Sequence, residues 1–402
     1  MKVFECRLCR GSLSEPKLNL GSTPLANEFV KEPIKQDMFP LEVCVCETCG
    51  HYQLNETVDP ERLFRNYLFV AGTSPVNIEH FRKYAAHMVE KFDLKPGSKV
   101  LDIASNDGVL LQHFKDLGMT VLGIDPAKNI AEIANKSGIE TIPEFFTETY
   151  ADEMLAKYGQ FNLITANNVF AHVPDMIGFA KGVKKLLAPN GVFSFEVSYF
   201  YDVCKKILFD TIYHEHSSLH SVEPLVSFFR SHDMEVFDVE RISNHGGSIR
   251  VFVRVPSQDY LRDEPCRELI DQERQFLASK VEALGQKINA LGIELNKKLR
   301  TIKDQSKSIA IYGVPAKATT LLYSLNIDEK MIDFACDDAP LKQDTLMPGK
   351  HIPVLPTNVI YERKPDVLLI LAWNFAAPIM KAHPNFKGTW IVPIPELKEY
   401  HT

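Results

Sequence analysis

Apolar and polar positions along the chain change rhythm twice, and the changes divide it into three units, 1–58, 59–260 and 261–402. Residues 59–96 read as a helical lead-in carrying Phe64, Tyr67, Phe69, Phe81 and Tyr84. After Pro96-Gly97, short apolar runs alternate with amphipathic stretches. Lys99–Ile103 predicts a strand, and Val109, Leu110, Leu111, Phe114 and Leu117 line one face of the helix that follows it. Further strands are predicted at 120–124, 161–166 and 191–197, with a helix over 174–187 before the last of them. Two more strand-like runs, over 241–254, flank His245-Gly246-Gly247-Ser248. Strands alternating with helices predict a parallel sheet covered by helices on both faces. From about 263 to 304 the period lengthens, with Leu277, Val281, Leu284, Ile288, Leu291, Leu295, Leu299 and Ile302 three or four residues apart. That stripe predicts one long amphipathic helix or a helical pair packed on a neighbouring domain. Strands at 308–312, 331–336 and 367–371, with a turn Gly313-Val314-Pro315-Ala316-Lys317 into a helix, then predict a second, smaller α/β unit with a parallel sheet.

Composition narrows the classes without choosing among them. A chain of 402 residues is too long for one ordinary core. A net charge of −7 with no long basic run argues against nucleic acid as a partner. No 18-residue apolar run occurs, and the N-terminus lacks the apolar core of a signal peptide, so no membrane partner and a cytoplasmic location are expected. Nothing in the chain sets its oligomeric state, and a monomer is compatible with it.

Cysteine placement adds the first chemistry. Five of the eight cysteines fall within the first 49 residues, among them the pairs Cys6/Cys9 and Cys46/Cys49. Two residues between cysteines let both thiolates of a turn face one ion, and two such knuckles complete a tetrahedral zinc site. In a reducing compartment this clustering reads as metal rather than disulfides. Four thiolates leave no open coordination position, so the expected zinc is structural.

The second chemistry lies at the ends of the first two strands of the middle unit. Asp102 sits near the end of one strand, Ala104-Ser105-Asn106-Asp107-Gly108 turns into a helix, and Asp125 closes the next strand 23 residues after Asp102. A carboxylate at the second strand end can take both hydroxyls of a ribose. The turn lacks the spaced glycines that a pyrophosphate asks for, so S-adenosylmethionine fits better than a dinucleotide. Asp107 is then expected to meet its amino-acid portion, and Asn167-Asn168 to close the pocket at the end of a later strand.

The third lies in residues 207–221, where Tyr213, His214, Glu215 and His216 crowd one short segment. They offer a proton acceptor, a group to orient it and a hydroxyl for a developing oxyanion. Beside a bound cofactor, such a set suggests proton abstraction from carbon. A neutral His is the natural base near pH 7, which favours His216, with Glu215 orienting it or stabilising its charged form and Tyr213 donating to the oxyanion or relaying the proton.

The whole chain resembles the nucleotide-sugar C-methyltransferase family. The resemblance rests on the two cysteine pairs, Ser105-Asn106-Asp107-Gly108, Asn167-Asn168-Val169-Phe170-Ala171-His172, Phe209-Asp210-Thr211-Ile212-Tyr213-His214-Glu215-His216, His245-Gly246-Gly247-Ser248 and Pro315-Ala316-Lys317. It implies a zinc-binding N-terminal domain, a class I, Rossmann-like methyltransferase core and a C-terminal α/β domain that helps to hold a sugar nucleotide. It implies methylation at C3 of a nucleoside-diphosphate 4-keto-6-deoxy sugar, with dTDP the first expectation and GDP or CDP open. It also places Tyr67 and His172 at the reaction centre. Asn168, His245 and Lys317 are expected on the sugar nucleotide, with Lys317 at its diphosphate. Ala104 departs from the glycine that many methyltransferases carry there, and a negative φ is expected for it.

Three other readings remain open at this level. Methylation of a sugar hydroxyl needs a base but no ketone. A zinc-ribbon methyltransferase acting on RNA or protein sits poorly with the acidic balance. An assembly protein that has lost catalysis sits poorly with the intact Asp102, Asp107, Asp125 and Tyr213–His216 sets.

Overall fold

The computed structural model describes residues 2–256 and 266–402. The expected boundary at 260/261, and the 263–265 start of the long apolar period, lie outside the described residues. Among the described residues no helix is long and apolar enough to cross a membrane.

The middle unit holds a seven-stranded sheet in the order Glu235–Ile242, Ser248–Arg254, Leu187–Ser198, Phe161–Thr165, Lys99–Ile103, Thr120–Ile124, Thr141–Ile142. The five strands from Leu187–Ser198 to Thr141–Ile142 run parallel, as the alternating pattern predicts. The remaining two form an antiparallel hairpin on one edge, so the sheet is mixed rather than wholly parallel. The reason is local: the five residues 243–247 are too short a link for the helical crossover that a parallel pair needs. The strand order reverses between Phe161–Thr165 and Lys99–Ile103, which opens a crevice at their carboxyl ends.

The stripe from Leu277 to Leu299 becomes a single 38-residue helix, Arg267–Asp304, with Leu277, Val281, Leu284, Ile288, Leu295 and Leu299 buried. Beyond it lies a second seven-stranded sheet, as many strands as the first although none exceeds four residues. Its core runs Pro353–Leu355, Phe334–Cys336, Ile309–Tyr312, Val367–Ile370, Thr389–Val392 in parallel, with antiparallel strands on both edges.

The N-terminal unit is the least self-contained. Leu18–Thr23, Phe39–Val45 and Tyr52–Leu54 pair antiparallel, and a fourth strand, Ser218–Leu219, joins them from the middle unit. One buried apolar cluster runs from Cys6 and Leu8 through Phe170 and Phe193 to Trp390, so the three units share a core.

Candidate active site

Cys6, Cys9, Cys46 and Cys49 converge with their four Sγ atoms within 4.8 Å of one another. Cys6 Sγ lies 3.6 Å from Cys49 Sγ, and Cys9 Sγ 3.4 Å from Cys46 Sγ. A tetrahedral zinc with sulfur ligands at about 2.3 Å asks for sulfur separations of about 3.8 Å, so the donor set fits the ion. The amides of Leu8, Gly11, Thr48 and Cys49 point at these sulfurs from 3.4 Å, which suits thiolates. Cys44 stands outside the group.

The cofactor loop is built from two strand ends. Asp125 is buried, and its two oxygens accept from the amides of Asn106 and Ala127, each at 2.8 Å. Burial pushes its carboxyl up to about 6, against those bonds. Asp107 accepts 2.9 Å from the Gly72 amide, while its Oδ1 is buried and has no partner. That orphaned oxygen is an acceptor awaiting a donor, which the amino group of S-adenosylmethionine would supply, and Asp125 keeps lone pairs for ribose hydroxyls. Ser105 Oγ is likewise buried without a partner. Asp102 is turned inward to the Thr165 hydroxyl at 2.6 Å, and burial raises its carboxyl to about 7. Asn168 holds a left-handed conformation, with its amide on the Glu196 carbonyl at 2.7 Å, and Asn167 is half-buried beside it.

One expectation fails at this loop. Ala104 has φ +55° rather than a negative value, because its amide must reach back to the Ile124 carbonyl at 2.7 Å. A Cβ in that region costs about 1–2 kcal/mol relative to glycine. The loop is also not open on its outer side. Residues 65–74 cross it as a strap: Ala71 donates to Asn106 Oδ1 (2.8 Å), Asn106 donates to the Phe69 carbonyl (3.0 Å), and Gly72 meets Asp107. A Cβ on Gly72 would stand 2.4 Å from Asp107 Oδ2, so glycine is required where the strap touches the carboxylate.

Tyr67, His172, Tyr213, Glu215 and His216, the residues expected at the reaction centre, come together from the strap, the loop after Phe161–Thr165 and the segment 207–221. That segment is a single 3₁₀ turn, Phe209–Thr211, followed by an irregular loop rather than a helix. His172 stacks between Phe64 (5.4 Å) and His216 (4.9 Å), and the Tyr213 ring lies 4.2 Å from His216. His216 donates from Nδ1 to the Thr211 carbonyl at 2.6 Å, which leaves Nε2 with its lone pair. Burial drives its imidazole down to about 4, so it is neutral at ordinary pH. Burial, with the His216 imidazole beside it, lowers His172 as well, and its Nε2 has no partner.

Glu215 does not orient His216 as expected. Its carboxylate is buried and accepts from Tyr67 Oη (3.0 Å) and Asn27 Nδ2 (2.7 Å), and burial lifts it to about 7. The Thr211 carbonyl orients the imidazole instead. Burial and the Glu215 charge raise Tyr213 and Tyr67 well above the ordinary phenol value, so both remain donors.

The Lys317 ammonium lies largely inside the protein, donating to Asn374 Oδ1 at 2.9 Å, beside Asp210 at 3.7 Å and over the Trp373 ring at 4.2 Å. His245 has φ +51° in the edge hairpin; burial, and then the Lys317 charge, push its imidazole to about 4, and it lies within electrostatic reach of His216. Asn27, Arg7, Gly72, Asp210 and Trp373 escape the sequence reading as site residues. Each acts through a partner at least 35 positions away, and no local pattern marks that.

Comparison with known proteins agrees with this geometry. A zinc binding domain family matches residues 6–64, a methyltransferase domain family residues 78–238, and the C-methyltransferase C-terminal domain family residues 243–395. The C-methyltransferase NovU of Streptomyces niveus is 35% identical over 98% of this chain and 96% of its own. A ubiquinone biosynthesis O-methyltransferase of Vibrio parahaemolyticus is 29% identical over 26% of this chain and 46% of its own. Among solved structures, an S-adenosylmethionine-dependent methyltransferase from Clostridium acetobutylicum is 13% identical, covers 45% of this chain and 92% of its own, and has a TM-score of 0.36. The protein is an S-adenosylmethionine-dependent methyltransferase with a class I core and a zinc-binding N-terminal unit. Matched from its cysteine knuckles to its last parallel strand, the chain belongs to the C-methyltransferase family.

Proposed function

We propose that the enzyme methylates C3 of a nucleoside-diphosphate 4-keto-6-deoxy sugar, with dTDP as the nucleotide, in deoxysugar biosynthesis. The observation that carries the reading is the His216 imidazole, held by Thr211 in the one tautomer that leaves Nε2 with its lone pair, beside Tyr213 and His172. A proton on carbon becomes removable when a ketone stands beside it, and this cleft supplies the complementary groups. His216 Nε2 takes the C3 proton, and the electron pair moves onto the C4 oxygen. The Tyr213 hydroxyl, kept protonated by its surroundings, donates to that oxygen. Lys317 helps to lower His216. The negative charge of a sugar nucleotide entering the cleft opposes that effect and strengthens the base when substrate binds. Asp107 and Asp125 would hold S-adenosylmethionine, which supplies an electrophilic methyl group. The methyl joins C3 as the ketone re-forms, and the zinc thiolates take no part.

The relative's name, C-methyltransferase, supports transfer to carbon. Incubating the protein with S-adenosylmethionine and a panel of dTDP-, GDP- and CDP-linked 4-keto sugars in deuterated water tests it by mass spectrometry. The expected product gains one methyl group and loses its C3 hydrogen. A methylated product that keeps its C3 hydrogen would identify a sugar hydroxyl as the acceptor and sink the reading.

A further inference from the structure

Asp210 is wholly buried in the turn Phe209–Thr211, and none of the chemistry above uses it. Its Oδ2 accepts 2.6 Å from Trp373 Nε1 and lies 3.7 Å from Lys317 Nζ. Two residues on, the Ile212 carbonyl accepts 3.0 Å from Thr320 Oγ1. Lys317, Thr320 and Trp373 all come from the C-terminal unit. Lys317 and Thr320 lie on the helix Lys317–Ser324, which follows the strand Ile309–Tyr312, and Trp373 on the turn after Val367–Ile370. The strand order of that sheet reverses between those two strands, so their carboxyl ends frame the crevice where an α/β sheet ordinarily seats a ligand. Here the crevice faces a turn of the middle unit. The fit is close enough that a Cβ on Gly246 would stand 2.6 Å from the Trp373 ring.

Between the two grips lies Thr211, whose carbonyl takes the Nδ1 proton of His216. A peptide carbonyl held through both flanking residues cannot tilt, and an imidazole bonded to it cannot exchange tautomers without losing that bond. We propose that the C-terminal unit sets the catalytic geometry, with Asp210, Thr320 and Trp373 as positioning residues that hold the Thr211 carbonyl and through it the His216 imidazole. This rests on the reading of His216 as the base. Burial raises the Asp210 carboxyl while the Lys317 ammonium and the indole N–H work against that shift, and the contact spans two units of the chain.

The test uses the zinc-loaded, full-length protein. Thr320→Val removes the hydroxyl and keeps the shape, Thr320→Ser restores a hydroxyl, and Trp373→Phe removes the indole N–H. Nitrogen spectra of histidine-labelled protein report the tautomer directly, with the His216 signal identified by its loss in His216→Asn. Turnover is followed with whichever sugar nucleotide the panel shows to be methylated. Wild type should show proton on Nδ1 alone. Thr320→Val and Trp373→Phe should show mixed tautomers, a kcat lower by about 10- to 100-fold, and KM and S-adenosylmethionine affinity within about twofold, since only the base is disturbed. Thr320→Ser should recover most of the rate. A single Nδ1 tautomer and normal kcat in Thr320→Val would overturn the positioning role, as would a Thr320→Ser variant no better than Thr320→Val. If Trp373→Phe fails to fold, Thr320→Val with its serine rescue decides the matter. Full turnover in His216→Asn would sink the base assignment instead, and the tautomer spectra would still judge the positioning role.

Discussion

Burial, more than any single charge, sets the protonation state that each side chain brings to the cleft. His216 is pushed down to about 4 and Glu215 up to about 7, both chiefly by desolvation. The two shifts predict distinct features in the pH profile. A base with a depressed value is neutral above it and protonated below it, so turnover should be lost as pH falls through about 4. At pH 5.5 an ordinary imidazole, with a value of ~6.5, is about nine-tenths protonated, whereas this enzyme should keep most of its rate. Glu215, with its value raised, is protonated below about 7 and ionised above it, so its share of any inflection near 7 should vanish in Glu215→Gln, leaving that of Asp102. Rate profiles of kcat for wild type and Glu215→Gln check both points. An acid limb in the ordinary imidazole range would mean that His216 is not desolvated in the working enzyme. Residue type made these groups visible in the sequence as candidates, but neither shift was legible there, because the groups that bury them come from the strap, the N-terminal unit and the C-terminal unit.

At the level of elements, the strap over residues 65–74 ties the cofactor loop to the reaction centre. One end touches Asn106 and Asp107 through Ala71 and Gly72, and the other places Tyr67 on Glu215. Asn129 holds the middle by accepting from the Tyr67 amide at 3.2 Å and donating back to its carbonyl at 2.8 Å. Gly72→Ala would force the strap away from Asp107 and remove a hydrogen bond to a charged group, worth about 1.5–3 kcal/mol. Affinity for S-adenosylmethionine should fall about 10- to 100-fold by calorimetry, with a loss of kcat as Tyr67 moves. Wild-type affinity in this variant would remove the strap from the cofactor site. The long helix Arg267–Asp304 shows the opposite case. Six of the eight positions in its apolar stripe, Leu277, Val281, Leu284, Ile288, Leu295 and Leu299, are buried, because a helix face is a property of spacing.

On the scale of the whole molecule, the catalytic segment belongs to no single unit. Its start is gripped by the C-terminal unit at Asp210 and Ile212, and its end is the fourth strand of the N-terminal sheet. Arg7, between the two cysteines of the first knuckle, is buried and donates to the Leu54 carbonyl at 2.7 Å and the Ser217 carbonyl at 3.1 Å. A zinc held by the knuckle would, through Arg7, also steady the residue after His216. Removing zinc with a chelator should raise amide hydrogen exchange in 207–221 and abolish turnover, while the strands Lys99–Ile103 and Phe161–Thr165 stay protected. Arg7→Ala should reproduce the loosening with zinc still bound. Full activity in demonstrably zinc-free protein would show that the knuckle is dispensable to the site.

What the sequence determined by itself is whatever depends on neighbours close along the chain. Strand and helix periods, the two cysteine knuckles, the turn carboxylate Asp107 and the strand-end carboxylate Asp125 are all short-range patterns, and spacing along the chain is enough to mark them. Tertiary structure alone decided which distant side chains meet. The edge hairpin turned antiparallel because its link is five residues long, Ala104 took a positive φ to meet the neighbouring strand, and Lys317 came to lie beside Asp210. Asn27 and Tyr67 reached Glu215 across 188 and 148 positions. A periodic pattern states that a face will be buried but carries no information about which surface buries it. The polar partners that position a base are chosen only when three separately patterned units close on one segment.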